Sequence, residues 1–214
     1  IRDSVTTLAY RCPHLEEVDL SFTYLHNLHR TEGVTDDSIA VLAQRCKNLR
    51  VLKIDGAPGV TDASLEAIGA HCKKLTTLHL DNCKKVRESG VVAVARGCAA
   101  LTHLELSHCT RLSSAAVTAL AEHRGKALVH LGLEGCKRVT LEAKIALVKR
   151  CLALRGHLAA RCTLAERYYH GRDGEEQDRA KAVLHTRLAA EQGYMEAQDR
   201  LGDLYEHGEG VEKD

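Results

Sequence analysis

LRVLKIDGAPGVTDASLEAIGAHC (residues 49–72), LTTLHLDNCKKVRESGVVAVARGC (75–98) and LTHLELSHCTRLSSAAVTALAEHR (101–124) are three copies of one pattern. Their opening leucines Leu49, Leu75 and Leu101, with Leu128 of a fourth copy, stand 26, 26 and 27 residues apart. Each copy begins LxxLxL, leucine alternating with polar residues, the period-two signal of a strand with one buried face. A longer stretch such as TDASLEAIGAHC follows, with Leu65, Ile68 and Gly69 on one helical face. A period near 26 accommodates one strand and one helix per unit, so the spacing predicts a solenoid.

The strands are expected at 17–20, 51–54, 77–80, 103–106 and 130–133, and the helices near 36–46, 62–72, 88–98, 114–124 and 141–151. Thr35 and Thr61 suit helix N-caps, and Asp36, Asp37 and Asp62 follow at the positive end of the helix dipole. DSVTTLAYRC at 3–12 matches DSIAVLAQRC at 37–46, so the chain opens on the helix of a further unit. The chain holds nine cysteines. Cys12, Cys46, Cys72, Cys98 and Cys151 close helices, Cys83, Cys109 and Cys136 follow strands, and only Cys162 stands outside the scheme. Thiols at repeat-equivalent positions read as small buried hydrophobes with a weak donor rather than as a disulfide framework.

These units resemble the cysteine-containing class of leucine-rich repeat, whose pattern is roughly CxxLxxLxLxxCxxVTDxxLxxLA. The resemblance covers about residues 1–155. Departures occur where Thr23 and Ala57 replace the strand-following cysteine, Gly125 the helix-closing one, and Arg87-Glu88 and Ser113-Ser114 the Thr-Asp pair. The resemblance implies an α/β horseshoe, with parallel strands on the concave side and helices on the convex side. It also implies kinship with F-box leucine-rich-repeat receptors, which present protein substrates to a cullin-type ubiquitin ligase. No F-box is visible in these residues, so an adaptor of such a ligase would be held by sequence upstream of Ile1.

Alternation places the residues between the leucines on the strand face. One column reads Glu17, Val51, Thr77, His103, His130; the next Asp19, Lys53, His79, Glu105, Gly132; the third Ser21, Asp55, Asp81, Ser107, Glu134. Six carboxylates face one lysine. Lys47, Lys73, Lys74 and Lys126 precede the strands, and Lys84, Lys85, Arg111, Lys137 and Arg138 follow them. The expected site is a concave face for a basic segment of another protein, formed by Glu17, Asp19, Lys53, Asp55, Thr77, His79, Asp81, His103, Glu105, His130 and Glu134. A second candidate is the insertion in the first unit. Leu15 to Leu49 spans 34 residues, eight more than its neighbours, and the excess carries Phe22, Tyr24, His26, His29 and Arg30. Extra length on one edge of a solenoid is where binding loops are grafted.

After Cys151 alanine-rich helices replace the leucine alternation. GHLAARCTLAERYYHGRDG aligns with GYMEAQDRLGDLYEHGEGV at an offset of 37 residues, matching Gly156 to Gly193, Ala160 to Ala197, Leu164 to Leu201, Tyr168 to Tyr205 and Gly171 to Gly208. This is similar to the SEL-one-like repeat, a relative of the tetratricopeptide repeat. The resemblance implies an all-α helical-hairpin solenoid that binds proteins, incomplete at its C-terminal end. The expected division is therefore leucine-rich repeats over 1–155 and SEL-one-like repeats over 156–214. Charge divides at the same place: residues 1–155 hold 22 Lys/Arg against 16 Asp/Glu, and residues 156–214 hold 8 against 13.

Function classes are narrowed by what the residues do not spell. There is no CxxC pair for zinc, no GxSxG, no HExxH and no GxxxxGK[ST], so neither a metal site nor a cofactor is expected and the chain reads as non-enzymatic. No apolar run is long enough to span a membrane, and nothing points to nucleic acid. The expectation is a cytoplasmic or nuclear interaction scaffold. It is either the substrate-recognition subunit of a cullin-type ubiquitin ligase or a signalling or assembly adaptor unrelated to ubiquitin.

Overall fold

The computed structural model describes residues 4–21, 34–124, 127–151, 157–173 and 175–208. Within them the chain alternates α1 (Ser4–Arg11), β1 (Glu17–Asp19), α2 (Asp36–Arg45), β2 (Val51–Lys53), α3 (Asp62–His71), β3 (Thr77–His79), α4 (Glu88–Gly97), β4 (His103–Glu105), α5 (Ser114–Arg124), β5 (His130–Gly132) and α6 (Leu141–Arg150). Three helices without strands follow: α7 (Leu158–His170), α8 (Arg179–Ala190) and α9 (Met195–Glu206). The strands form one parallel sheet in sequence order. Each begins where the alternation places it, and its pairing runs one residue further, through bonds such as Ile54 N–H to the His79 carbonyl.

Register follows the leucine columns. Val18, Leu52, Leu78, Leu104 and Leu131 lie side by side, and all are buried. The eight extra residues before Leu49 leave this alignment intact, since Glu17 pairs with Val51 as Thr77 pairs with His103. The insertion residues Phe22, Tyr24, His26, His29 and Arg30 lie outside the described residues.

Each unit is fastened to the next through polar groups that it cannot satisfy alone. Thr35 closes a capping box with Ser38 at the start of α2. Asp36 then reaches forward: it accepts the Thr61 N–H at 2.9 Å, the Thr61 hydroxyl at 2.7 Å, the Ser64 N–H at 3.1 Å and the Ser64 hydroxyl. Burial works to raise the pKa of this carboxyl, but the Ser64 and Thr61 donors outweigh it and hold the group below the usual carboxylate range. One unit on, Asp62 accepts the Arg87 N–H at 2.7 Å and the Ser89 hydroxyl. Arg87 is an N-cap whose side chain makes no capping bond, so the tie at this helix start comes from the preceding unit, through the Arg87 amide and the Ser89 hydroxyl.

The cysteines make a second row of fasteners. The Cys83 thiol donates to the Ile54 carbonyl at 3.3 Å, Cys109 to Leu80 at 3.2 Å and Cys136 to Leu106 at 3.1 Å. A thiol is small and apolar enough for the core, yet meets a carbonyl of the unit before it. Burial pushes the thiols of Cys72 and Cys83 up to about 12.

The core crosses from the strand-containing units into the helical ones without a break. Val5 and Ile39 at one end belong to the same buried cluster as Ala160, Leu164, Tyr168 and Ala182 at the other. Between α6 and α7, Arg167 grips Glu142 in a two-pronged bridge of 2.8 and 2.9 Å, and Lys149 pairs with Glu175. His185 of α8 is buried and stacks on Tyr168 with ring centroids 5.7 Å apart. His157, just ahead of α7, has a left-handed backbone with φ +52° and hydrogen-bonds the Leu131 backbone. His157, at the entry to the helical units, thus meets the outer strand of the sheet at β5.

Two outcomes follow from this packing. Native protein treated with a maleimide is expected to label rapidly at exposed Cys12 and slowly at half-buried Cys162. The seven buried thiols are expected to react only after unfolding, as peptide mapping would show. Burial lowers His185 to about 4, with Arg161 and Lys149 adding to the shift. A depressed histidine pKa means that its stabilising neutral form is fully present above the unfolded value of about 6.5 and is lost as pH falls toward 4. His185→Phe keeps the stacked ring and removes the titration. Its melting temperature is therefore expected to stay within about 3 °C of wild type at pH 7.5 and to fall less between pH 6.5 and 4.

Candidate functional site

The three residue columns of the strand face have different fates. In the first column Glu17 and His103 are exposed, while Thr77 and His130 are partly buried. In the second, Asp19 and Lys53 stand 3.9 Å apart across adjacent strands, and His79 lies 3.9 Å from Asp55. These side chains share one face, in the register expected from the sequence.

Much of the third column is occupied in holding the stack together. Asp55 accepts the Asp81 N–H at 2.7 Å and the Ser21 hydroxyl at 2.9 Å. Asp81 accepts the Ser107 N–H at 2.9 Å, and the Ser107 hydroxyl oxygen accepts the Glu134 N–H at 3.1 Å. The column is a ladder in which each side chain holds the backbone of the next unit, with Glu134 exposed at its end. Alternation told which face these residues occupy, not what they bond. The usable signal was the recurrence of short acceptors (Ser, Asp, Asp, Ser) ahead of a turn residue.

That turn residue recurs as well. Gly56, Asn82, His108 and Gly135 all have φ between 59° and 72°, the left-handed region that Gly and Asn adopt most readily.

Crowding perturbs the middle of the ladder. Burial, then the carboxylates of Glu105 and Asp55, push Asp81 up to about 6. Glu105 is itself held by the Ser107 hydroxyl at 2.6 Å and His130 Nε2 at 2.7 Å. Burial opposes its ionisation, but the Ser107 and His130 hydrogen bonds outweigh that and lower its pKa. Beside these groups lies a cavity of about 540 Å³ reaching from Asp81 and Glu105 across Gly132 to Lys144, His157 and Leu158. Among the described residues, no group of three His, Cys, Asp or Glu side chains is placed to hold a metal ion, and no helix is long and apolar enough to cross a membrane.

Residues 71–95 and 97–121 match the leucine-rich repeat family, and residues 159–194 and 196–214 match the Sel1 repeat. The chain carries leucine-rich repeats followed by Sel1 repeats. No curated protein matches it. Among solved structures it is similar to a chain of the crystal structure of the Rad7 and Elc1 complex in yeast, with a TM-score of 0.54 and 19% identity. The match covers 76% of this chain and 50% of that one, so it spans half the length of that neighbour. At this identity the likeness is one of fold. Both repeat families suggest protein–protein interaction.

The leucine-rich ladder makes its own stability prediction. Asp81, raised from 3.8 to about 6, stabilises the fold fully below its unfolded pKa and loses that contribution as pH rises through 6. Asp81→Asn keeps an oxygen for the Ser107 N–H and removes the crowded charge. Its melting temperature is expected to exceed wild type by about 3 °C at pH 8 and to match it below pH 4.

Proposed function

We propose that this chain is a non-catalytic protein receptor whose strand face binds a basic segment of another protein. In this reading the chain serves in the cytoplasm or nucleus as the substrate-recognition part of a cullin-type ubiquitin ligase. The observation that carries the binding half is the row of carboxylates left over once the ladder is complete. Glu17, Asp19 and Glu134 remain exposed, and among the described residues only Asp19 forms an ion pair with a lysine. Stacked further, the leucine-rich units would curve into a horseshoe with this face on the concave side, and the basic margins would fence it. A positively charged segment is attracted to the centre of such a face and repelled from its rims.

Support for the ligase half is the resemblance to F-box leucine-rich-repeat receptors, together with a structural neighbour crystallised in complex with a second protein, Elc1. On this reading residues 1–155 recognise the substrate, and the Sel1 repeats from 156 onward extend the surface toward a further partner.

Fluorescence anisotropy with a labelled octapeptide of alternating lysine and arginine tests the face. Glu17→Lys combined with Glu134→Lys alters no ladder acceptor and is expected to weaken binding about tenfold at low salt. Equal affinity for wild type and variant would overturn the strand-face site. Immunoblotting for a cullin in purifications of the full-length protein tests the ligase assignment. Its absence, with peptide binding intact, would leave an assembly adaptor in place of a ligase subunit.

A further inference from the structure

We infer that the cavity where α7 meets the end of the sheet receives an arginine side chain from the partner protein, making the recognition site a joint product of the leucine-rich and Sel1 repeats. The inference rests on the strand face being a protein-binding surface and names the anchor that such a partner would place there.

One residue sets where Glu105 lies on the sheet side of the space. The strand positions equivalent to Gly132 carry Asp19, Lys53, His79 and Glu105. A Cβ at Gly132 would fall 1.4 Å from Glu105 Oε1, so Glu105 leans over a position that no other side chain can occupy. On the far side the wall comes from the Sel1 module through His157, Leu158 and Ala160. The resulting 540 Å³ lies within the range of about 300–1,000 Å³ found for specific ligand sites. It is ample for one long side chain with its flanking backbone.

The lining asks for a donor-rich cation. Asp81 and Glu105 lie close enough at the edge of the cavity for each to oppose the other's charge. Among the described residues, neither of them, nor Glu134, forms an ion pair with a lysine or arginine. His157 lines the cavity, with its Nε2 turned into the protein and buried. Burial holds this ring down to about 4, so at neutral pH it adds no positive charge to the cavity wall. The carboxyl groups of Asp81, Glu105 and Glu134 around one space match the planar, five-donor fork of a guanidinium better than the single point charge of an ammonium.

Charges around Asp81 decide how binding responds to pH. Asp55, Glu105 and Glu134 face it as carboxylates from the sheet, with the imidazoles of His108 and His130 beside them. Lys144 enters from α6 and His157 from the α7 end. Lys144 is the opposing element, one cation against three carboxyl groups in the cavity. An arriving guanidinium relieves the repulsion among these carboxylates and meets Asp81 in its ionised form, so affinity rises as pH rises through 6.

The test uses the full chain labelled with ¹⁵N and the capped pentapeptide Ala-Ala-Arg-Ala-Ala, with its citrulline and lysine analogues as controls. Saturable shifts at the Gly132 and Leu158 amides are expected with the arginine peptide. Affinity should drop about tenfold with citrulline, drop by a smaller factor with lysine, and rise severalfold between pH 5 and 7.5. Asp81→Asn, expected to be the more stable protein, should bind the arginine peptide about tenfold more weakly; Glu105→Gln should do likewise. Equal shifts with arginine and citrulline, or undiminished binding by Asp81→Asn, would overturn the inference. The lysine–arginine octapeptide separates the two readings. If it binds and responds to Glu17→Lys while the pentapeptides are not distinguished, the cavity is no anchor and the strand-face reading stands. If the octapeptide fails and the arginine pentapeptide succeeds, the cavity stands alone.

Discussion

Every unit of this stack exposes backbone amides and carbonyls that only its neighbour can satisfy, and the whole architecture depends on that exchange. The Asp36 carboxylate caps the helix of the next unit rather than its own. The Cys109 thiol closes a carbonyl of the unit before. On the strand side Asp55 and Asp81 perform the same service for the following backbone. Because each bond spans one repeat, a unit removed from the row would lose partners at both ends. Solenoids of this kind gain stability from nearest-neighbour interfaces as much as from the units themselves.

The leucine columns were legible because burial of one strand face imposes a period of two, and a repeated period fixes register even across an insertion. Helix starts were legible through Thr35 and Thr61, which cap as expected. The bonding of Asp55 and Asp81 was not, since alternation assigns a side chain to a face and says nothing of what it meets there. Nor was the cavity legible. It is bounded by Glu105 leaning over Gly132 and by a helix that belongs to a different repeat class, parts of the chain separated by more than twenty residues and joined only in space.

Crowded charge and ordered ladder meet at Asp81. A carboxyl that bonds the Ser107 amide well would do so as readily as an asparagine side chain, without repulsion from Glu105 and Asp55. Retaining the acid therefore costs stability, and proteins tolerate such costs chiefly where a site needs them. The cysteines show the reverse economy: their burial quiets the thiol chemistry, and what remains is size and one weak donor.

The seam between α6 and α7 has a consequence for how a partner would be read. The buried core passes through it unbroken, and the Glu142–Arg167 and Lys149–Glu175 pairs lock it from outside. Helices after the seam are thereby held at a set angle and distance from the strand face, as the two arms of a carpenter's square are held at the corner. A partner that touches both arms is gauged by the separation of its two contact points as well as by their chemistry. Two peptides with identical motifs but different spacers would not be equivalent to this chain.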